Sequence, residues 1–268
     1  MKKRIISVLI LTFSLIFLLT GCGKKDSKSD TSLEDIKSKG KFIVGLDDSF
    51  PPMGFKDDKG NIVGFDIDLA KEVGKKLGVK VEFKPVDWDG VVLSLKNKDI
   101  DVIWNGLTIT DKRKEQIGFS TPYLQNKQIV VVRKDSNIKK KADLKDKTVG
   151  VQLGSSSETA LTDAKDISAS LKEMKKYSNN TEALMDLQAK RLEAVVVDEV
   201  VGRYYISKKP DLYKVLDEDF GRESYGIGIR KEDKSFKEAI DKELDALKKD
   251  GTYDKISKKW FGETIKQK

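Results

Sequence analysis

Two hydrophobic periods alternate along this chain, and few architectures accommodate that alternation. "KFIVGL" (41–46) is a short continuous apolar run, the mark of a strand buried on both faces. "FDIDLAKEVGKKLG" places Phe65, Leu69, Val73 and Leu77 four residues apart, on one face of a helix. "VKVEF" (79–83) returns to the period of a strand. Strand, helix and strand at this spacing predict a parallel pair with a right-handed crossover. The pattern continues as a helix over 90–97, a strand over 100–104, a short helix over 112–117 and a strand over 128–133. It restarts at "KTVGVQLG", passes through "SSSETALTDA", "TEALMDLQAKRL" and "EAVVVDEV", and closes with "SYGIGIR", a helix carrying Phe236, Ile240, Leu244 and Leu247, and "DGTYDKISKKWFG". Such alternation predicts an α/β fold with largely parallel sheets.

Composition closes off much chemistry. None of the 268 residues is histidine, which excludes Ser-His-Asp and Cys-His catalysis and histidine-ligated metals. Cys22 is the sole cysteine, so internal disulfides, cysteine-rich zinc sites and iron–sulfur clusters are excluded too. No cofactor or metal is implied. Hydrophobic residues make up 38% and charged residues 36%, enough apolar content for packed cores. The formal net charge of +8 includes Lys2, Lys3 and Arg4, and no basic block is interleaved with aromatics, so nucleic acid is not an expected partner.

The N-terminus reads as an address. "MKKR" precedes "IISVLILTFSLIFLL", an apolar run short for a spanning helix, which ends at "LLTGC" before the abruptly polar "GKKDSKSDTS". Leu19-Thr20-Gly21-Cys22 resembles a bacterial lipobox, which implies a signal peptide over 1–21, lipidation (palmitate) at Cys22 and a flexible tether over 22–32. The mature chain is then expected to be extracytoplasmic and lipid-anchored, in a Gram-positive envelope given the Lys-, Asp- and Ile-rich composition.

In open α/β sheets ligands sit beyond the carboxyl ends of strands. Asp47 follows strand 41–46, "NGLTITDKR" (105–113) follows strand 100–104, Gln152 to Ser157 follow strand 148–151, and Asp198 follows strand 194–197. Each has a plainer explanation. Arg113 in "DKRKE" suits a solvated helix, Asp198 suits an N-cap for "EVVGRYY", and "GSSSE" suits a capping cluster or a phosphate cradle, although it lacks the P-loop lysine. Trp88 suits a core, and Trp104 suits one better than a ligand contact.

Seven stretches in order, "GFDIDLA", "GLTITDKR", "FSTPY", "VGVQLGSS", "VVVDEV", "GIGIRK" and "DGTYDKISKKWFG", resemble the family 3 extracellular solute-binding proteins of polar amino-acid ABC transporters. The resemblance covers about residues 40–262. It implies a two-lobed periplasmic-binding-protein-like fold (type II) with two hinge crossings and a ligand cleft between the lobes. Lobe 1 would comprise 33–124 plus 222–268 and lobe 2 would comprise 125–221, with crossings near Tyr123–Lys127 and Asp217–Ser224. The implied partners are a free L-amino acid and an ABC permease with its ATPase, the binding protein itself being a monomer and no enzyme.

Carried over residue by residue, Arg113 matches the arginine that forks onto the ligand α-carboxylate, with Thr108 and Ser156 beside it. Asp198 matches the carboxylate that takes the α-ammonium, with the Gly106 carbonyl and the Thr108 hydroxyl. Phe50 and Trp88 match aromatic walls, and Asp47, Asn105 and Gln152 match the side-chain pocket. Glutamine-binding relatives carry lysine and histidine at Gln152 and Val197, a departure that points toward basic ligands. Asp47 disfavours an acidic ligand. Arginine, lysine or histidine is therefore expected first, then glutamine or cystine. A dehydratase-type enzyme on the same fold, or a lipid-anchored sensor or adhesin, is the alternative.

Overall fold

The computed structural model describes residues 30–265. The expected signal peptide, Cys22 with its lipid, and the tether up to residue 29 lie outside those residues. A first helix, Ser32–Lys39, leads into β1 (Lys41–Leu46). A small antiparallel sheet follows, built from β2 (Ser49–Phe50), β3 (Gly54–Lys56) and β4 (Ile62–Val63), which the hydrophobic periods do not show. The helix Phe65–Leu77 buries Phe65, Leu69 and Val73, and ends at Gly78 (φ +75°), whose left-handed backbone lets its N–H reach back to the Gly74 and Lys75 carbonyls.

β5 (Lys80–Pro85), β6 (Val102–Ile103) and β7 (Gly118–Phe119) join β1 in the first sheet. Between them lie a 3-10 turn at Trp88–Gly90, the helix Val91–Lys96 and the single-turn helix Asp111–Lys114. β8 (Leu124–Arg133), β9 (Thr148–Gln152), β10 (Glu173–Tyr177), β11 (Ala194–Asp198) and β12 (Tyr213–Tyr225) form a second sheet. The chain then returns to the first sheet through β13 (Gly228–Ile229) and ends in the helices Lys234–Lys249 and Thr252–Phe261.

The strand orders are β5-β1-β6-β13-β7 and β10-β9-β11-β8-β12. The two sheets are largely parallel, as expected, but each holds one inverted strand. β13 is antiparallel to β6 and β7, and β8 is antiparallel to β11 and β12. Each follows directly on a crossing, so it carries the chain away from the cleft while its neighbours run toward it. No helical connection imposes the parallel sense there.

The inner strands β8, β9 and β11 of the second sheet are buried on both faces, which is why they read as valine-rich apolar runs. Ile129, Val131, Val195 and Val197 pack on one side with Ala183, Leu184 and Leu187. Val130, Val132, Ala194 and Val196 pack on the other with Leu144 and Leu161. The two crossings lie side by side, with Leu124 opposite Tyr225 and Asn126 opposite Glu223 in one antiparallel ribbon. β12 is bulged between Val215 and Asp219 and again before Arg222, with Gly221 at φ +109°. From Thr31 onward the chain is one compact unit. Among the described residues no helix is long and apolar enough to cross a membrane.

Candidate functional site

The polar end of strand β6 builds one wall. Trp104 is fully buried and packs against Tyr123 with ring centroids 6.3 Å apart. Asn105, also buried, lies behind Asp47 and accepts the Asp47 backbone N–H at 3.1 Å. Gly106 turns with φ +61° and sends its N–H to Asp66 Oδ2 at 2.7 Å. A Cβ there would stand 2.8 Å from Phe50 Cε1, so glycine answers both the backbone angle and the close approach.

Asp66 also accepts the Tyr123 hydroxyl at 2.8 Å. Burial pushes its carboxyl up to about 7, against the pull of these two donors. An unfolded aspartate titrates near 3.9, so Asp66 favours the folded state at low pH, and that contribution is lost as the pH rises through about 7. Asp66→Asn is expected to shrink the fall in stability between pH 5 and pH 8 by on the order of 1–4 kcal/mol. Urea unfolding at the two pH values measures it, and an unchanged difference would contradict it.

Thr110 caps the short helix by accepting the Arg113 backbone N–H at 3.2 Å. The Arg113 side chain does not run into solvent. Its guanidinium donates to the Thr108 carbonyl at 2.9 Å and, from the other lobe, to the Gly154 carbonyl at 3.2 Å, and it lies 6.0 Å from the Trp88 ring centroid.

Strands β9 and β11 end on the opposite wall. Gly154 (φ +74°) passes so near Asp89 that a Cβ would stand 2.8 Å from the Asp89 Cα. Ser155 caps the helix Ser156–Asp163, while Ser156 Oγ meets Thr108 Oγ1 at 2.9 Å across the cleft. Capping and cleft contact thus fall to neighbouring serines. Asp198 occupies the N-cap position of the helix Glu199–Lys208 but makes no capping bond with its side chain. Its Oδ1 instead accepts from Tyr225 OH at 2.6 Å, Asn126 Nδ2 at 2.7 Å and Gln128 Nε2 at 2.9 Å. Burial and then the nearby Glu223 carboxylate push Asp198 up to about 8.

At the far end, Asp47 Oδ1 accepts from the Ser49 N–H (2.9 Å) and hydroxyl (2.6 Å), and Oδ2 accepts from Gln152 Nε2 at 2.7 Å across the cleft. Burial raises the Asp47 pKa even so. Asn180 fixes Gln152 from behind at 2.9 Å. The Phe50 and Trp88 rings lie parallel within 6°, with centroids 6.4 Å apart. A cavity of about 310 Å³ opens here, lined by Asp47, Asp48, Asp87, Trp88, Ser178 and Asn179. Asp48 faces it and pairs with Lys56.

Residues 42–263 match the bacterial extracellular solute-binding proteins, family 3. The chain belongs to that family. This family 3 binding protein is 33% identical over 252 residues to the L-cystine-binding protein TcyJ of Escherichia coli, covering 93% of each chain. It is 32% identical over 263 residues to the arginine-binding extracellular protein ArtP of Bacillus subtilis, covering 97% of this chain and 98% of that one. Its fold superposes on a substrate-binding protein of an ABC uptake transporter from Streptococcus pneumoniae with bound histidine, at a TM-score of 0.86 and 36% identity, over 90% of this chain and 99% of that one.

The structure of this binding protein gathers Thr108, Arg113, Ser156 and Asp198 at one end of the cleft and Asp47, Phe50, Trp88 and Gln152 at the other. Sequence reasoning missed Asn126, Gln128, Glu223 and Tyr225, which converge on Asp198 and Thr108. Asn126 and Gln128 carried a usable signal. They are two buried amides at strand period, just before the apolar run of β8.

Proposed function

We propose that this family 3 binding protein captures a basic L-amino acid, arginine, lysine or histidine, between its lobes and delivers it unchanged to an ABC permease with its ATPase. Arg113, Thr108 and Ser156 take the α-carboxylate. Asp198, the Gly106 carbonyl and Thr108 take the α-ammonium, and the side chain passes between Phe50 and Trp88 toward Asp47. The lobes, 33–124 plus 222–268 and 125–221, close about the paired crossings near 123–127 and 217–224. Ligand contacts on both walls favour the closed form by their differential affinity for it. The protein acts as a monomer, held outside the cytoplasm by lipid on Cys22 in a Gram-positive envelope.

Asp47 carries the choice of ligand. It is a buried carboxylate whose donors, Ser49 and Gln152, are both neutral, and among the described residues no lysine or arginine pairs with it. A buried charge without a countercharge is costly, and a guanidinium, ammonium or imidazolium supplies one. The names of relatives that bind arginine and histidine support this order, and TcyJ keeps cystine behind it with glutamine.

Asp47→Asn is expected to weaken arginine binding by about 30-fold or more, the effect of removing one partner of a desolvated charge pair at roughly 2 kcal/mol or above. Glutamine binding should change little. Calorimetric titration reads both, and equal arginine affinity in the two proteins would exclude a basic ligand seated on Asp47.

A dehydratase reading draws on one observation, the extra carboxyl of Glu223 beside the seat. Turnover of prephenate is the discriminating measurement, and relatives named as binding proteins favour capture.

A further inference from the structure

Glu223 stands on the crossing strand β12, directly opposite Asn126 of β8. Its Oε1 accepts from Asn126 Nδ2 at 2.6 Å, Gln128 Nε2 at 2.8 Å and Thr108 Oγ1 at 2.8 Å. The same two amide nitrogens donate to Asp198 Oδ1 at 2.7 and 2.9 Å. Two carboxylates therefore share one pair of neutral donors at the end of the cleft that faces the ligand's α-carbon. Sharing an amide nitrogen holds the two oxygens within about 5 Å, the range in which like charges oppose joint ionisation.

Few groups offset that repulsion. Tyr225, from β12, and Thr108, from the loop after β6, add neutral hydroxyl donors, and Ser156 approaches from its helix. Among the described residues the one nearby cation is Arg113, which is engaged by the Thr108 and Gly154 carbonyls. Lys127 of β8 pairs with Glu199 and Asp219 instead. Asp66 and Tyr123 lie behind Gly106 and bring no positive charge.

We propose that Glu223 is a second carboxylate of the ammonium seat, and that the Asp198–Glu223 pair holds one proton when the seat is empty and releases it to solvent when a ligand ammonium replaces it. This rests on the reading of the ligand as an amino acid. The exchange is balanced, with one proton leaving to buffer as one cation enters. The upward shift of Asp198 agrees with it. Affinity then rises with pH, by up to tenfold per unit, until the empty pair is fully ionised, and levels off above. Because Glu223 also accepts the Thr108 hydroxyl of lobe 1, the same carboxylate ties the crossing ribbon to the closed cleft.

The test has two arms. In the first, ¹³C NMR of the ligand-free protein follows the Asp198 and Glu223 carboxyls from pH 4 to pH 9. The Asp198 carboxyl should hold its proton above pH 6, and in Glu223→Gln it should titrate lower, because burial remains but the neighbouring charge is gone. Both carboxyls ionised by pH 6 in the wild-type chain would overturn the inference, whatever binds. In the second arm, L-arginine is titrated by calorimetry in buffers of different ionisation enthalpy. The wild-type chain should release up to one proton per arginine at pH 7. Glu223→Gln should release clearly less, show a shallower pH slope, and bind about tenfold more weakly at pH 8.5, burial alone remaining to hold a proton on Asp198. Equal proton release in both proteins would overturn it, as would a loss of affinity uniform across pH. If arginine fails to bind while the NMR arm shows the retained proton, the choice of ligand falls and the carboxylate pair stands.

Discussion

Arg113→Ala is expected to lower the affinity for a basic amino acid by about two to three orders of magnitude, with little change in thermal stability. Removing one partner of a desolvated, hydrogen-bonded charge pair costs roughly 2–5 kcal/mol, largely because the other charge is left buried and unpaired. The ligand carboxylate would be that charge. Among the described residues the Arg113 guanidinium donates to two backbone carbonyls and lies over Trp88, so folding loses little with it. Arg113→Lys should recover only part of the affinity, since an ammonium cannot present two parallel donors to a carboxylate. Affinity within threefold of the wild type in Arg113→Ala would place the carboxylate seat elsewhere.

Gly64→Ala is expected to destabilise the fold by about 2–6 kcal/mol, from backbone strain of about 1–3 kcal/mol and forced overpacking of similar size. Gly64 holds φ +146° at the start of the helix Phe65–Leu77. A Cβ there would stand 2.1 Å from the Met53 carbonyl oxygen, 2.5 Å from its carbon and 2.8 Å from the Gly54 nitrogen. All three are backbone atoms, so no rotamer change relieves them. The same segment is tied to the helix by Phe65 N–H to the Pro52 carbonyl at 2.8 Å and Asp66 N–H to the Met53 carbonyl at 2.9 Å. The strain therefore reaches Phe50 in the cleft and Asp66 behind Gly106. Thermal unfolding should show a midpoint lower by roughly 10 °C. A shift under 2 °C would mean that the loop after β4 yields more easily than its contacts indicate.

The alternation of strand and helix was legible because each period reports a local burial pattern. Phe65, Leu69 and Val73 line the buried face expected of their helix, as do Phe236, Ile240, Leu244 and Leu247 of theirs. The inverted strands β8 and β13 were not legible, since strand direction is set by where the chain re-enters a sheet and not by its period. The helical period says nothing of Asp66, which is fully buried because its partners Gly106 and Tyr123 come from distant segments.

At the site, strand-end logic pointed to Asp47, Gln152 and Asp198, and the family resemblance gave Arg113 its role. Glu223 escaped both. It lies inside the crossing run "LDEDFGRES", where six of nine residues are polar or charged at positions a linker also favours, and only the pairing of β12 with β8 sets it opposite Asn126.

Calorimetric titration of the chain from Thr31, unfolded and refolded to strip carried ligand, against arginine, lysine, histidine, glutamine, cystine and glutamate tests the central claim most directly. One-to-one binding led by a basic amino acid, with glutamate inert, is the predicted result. Glutamate binding best, or no heat from any of the six, would contradict it.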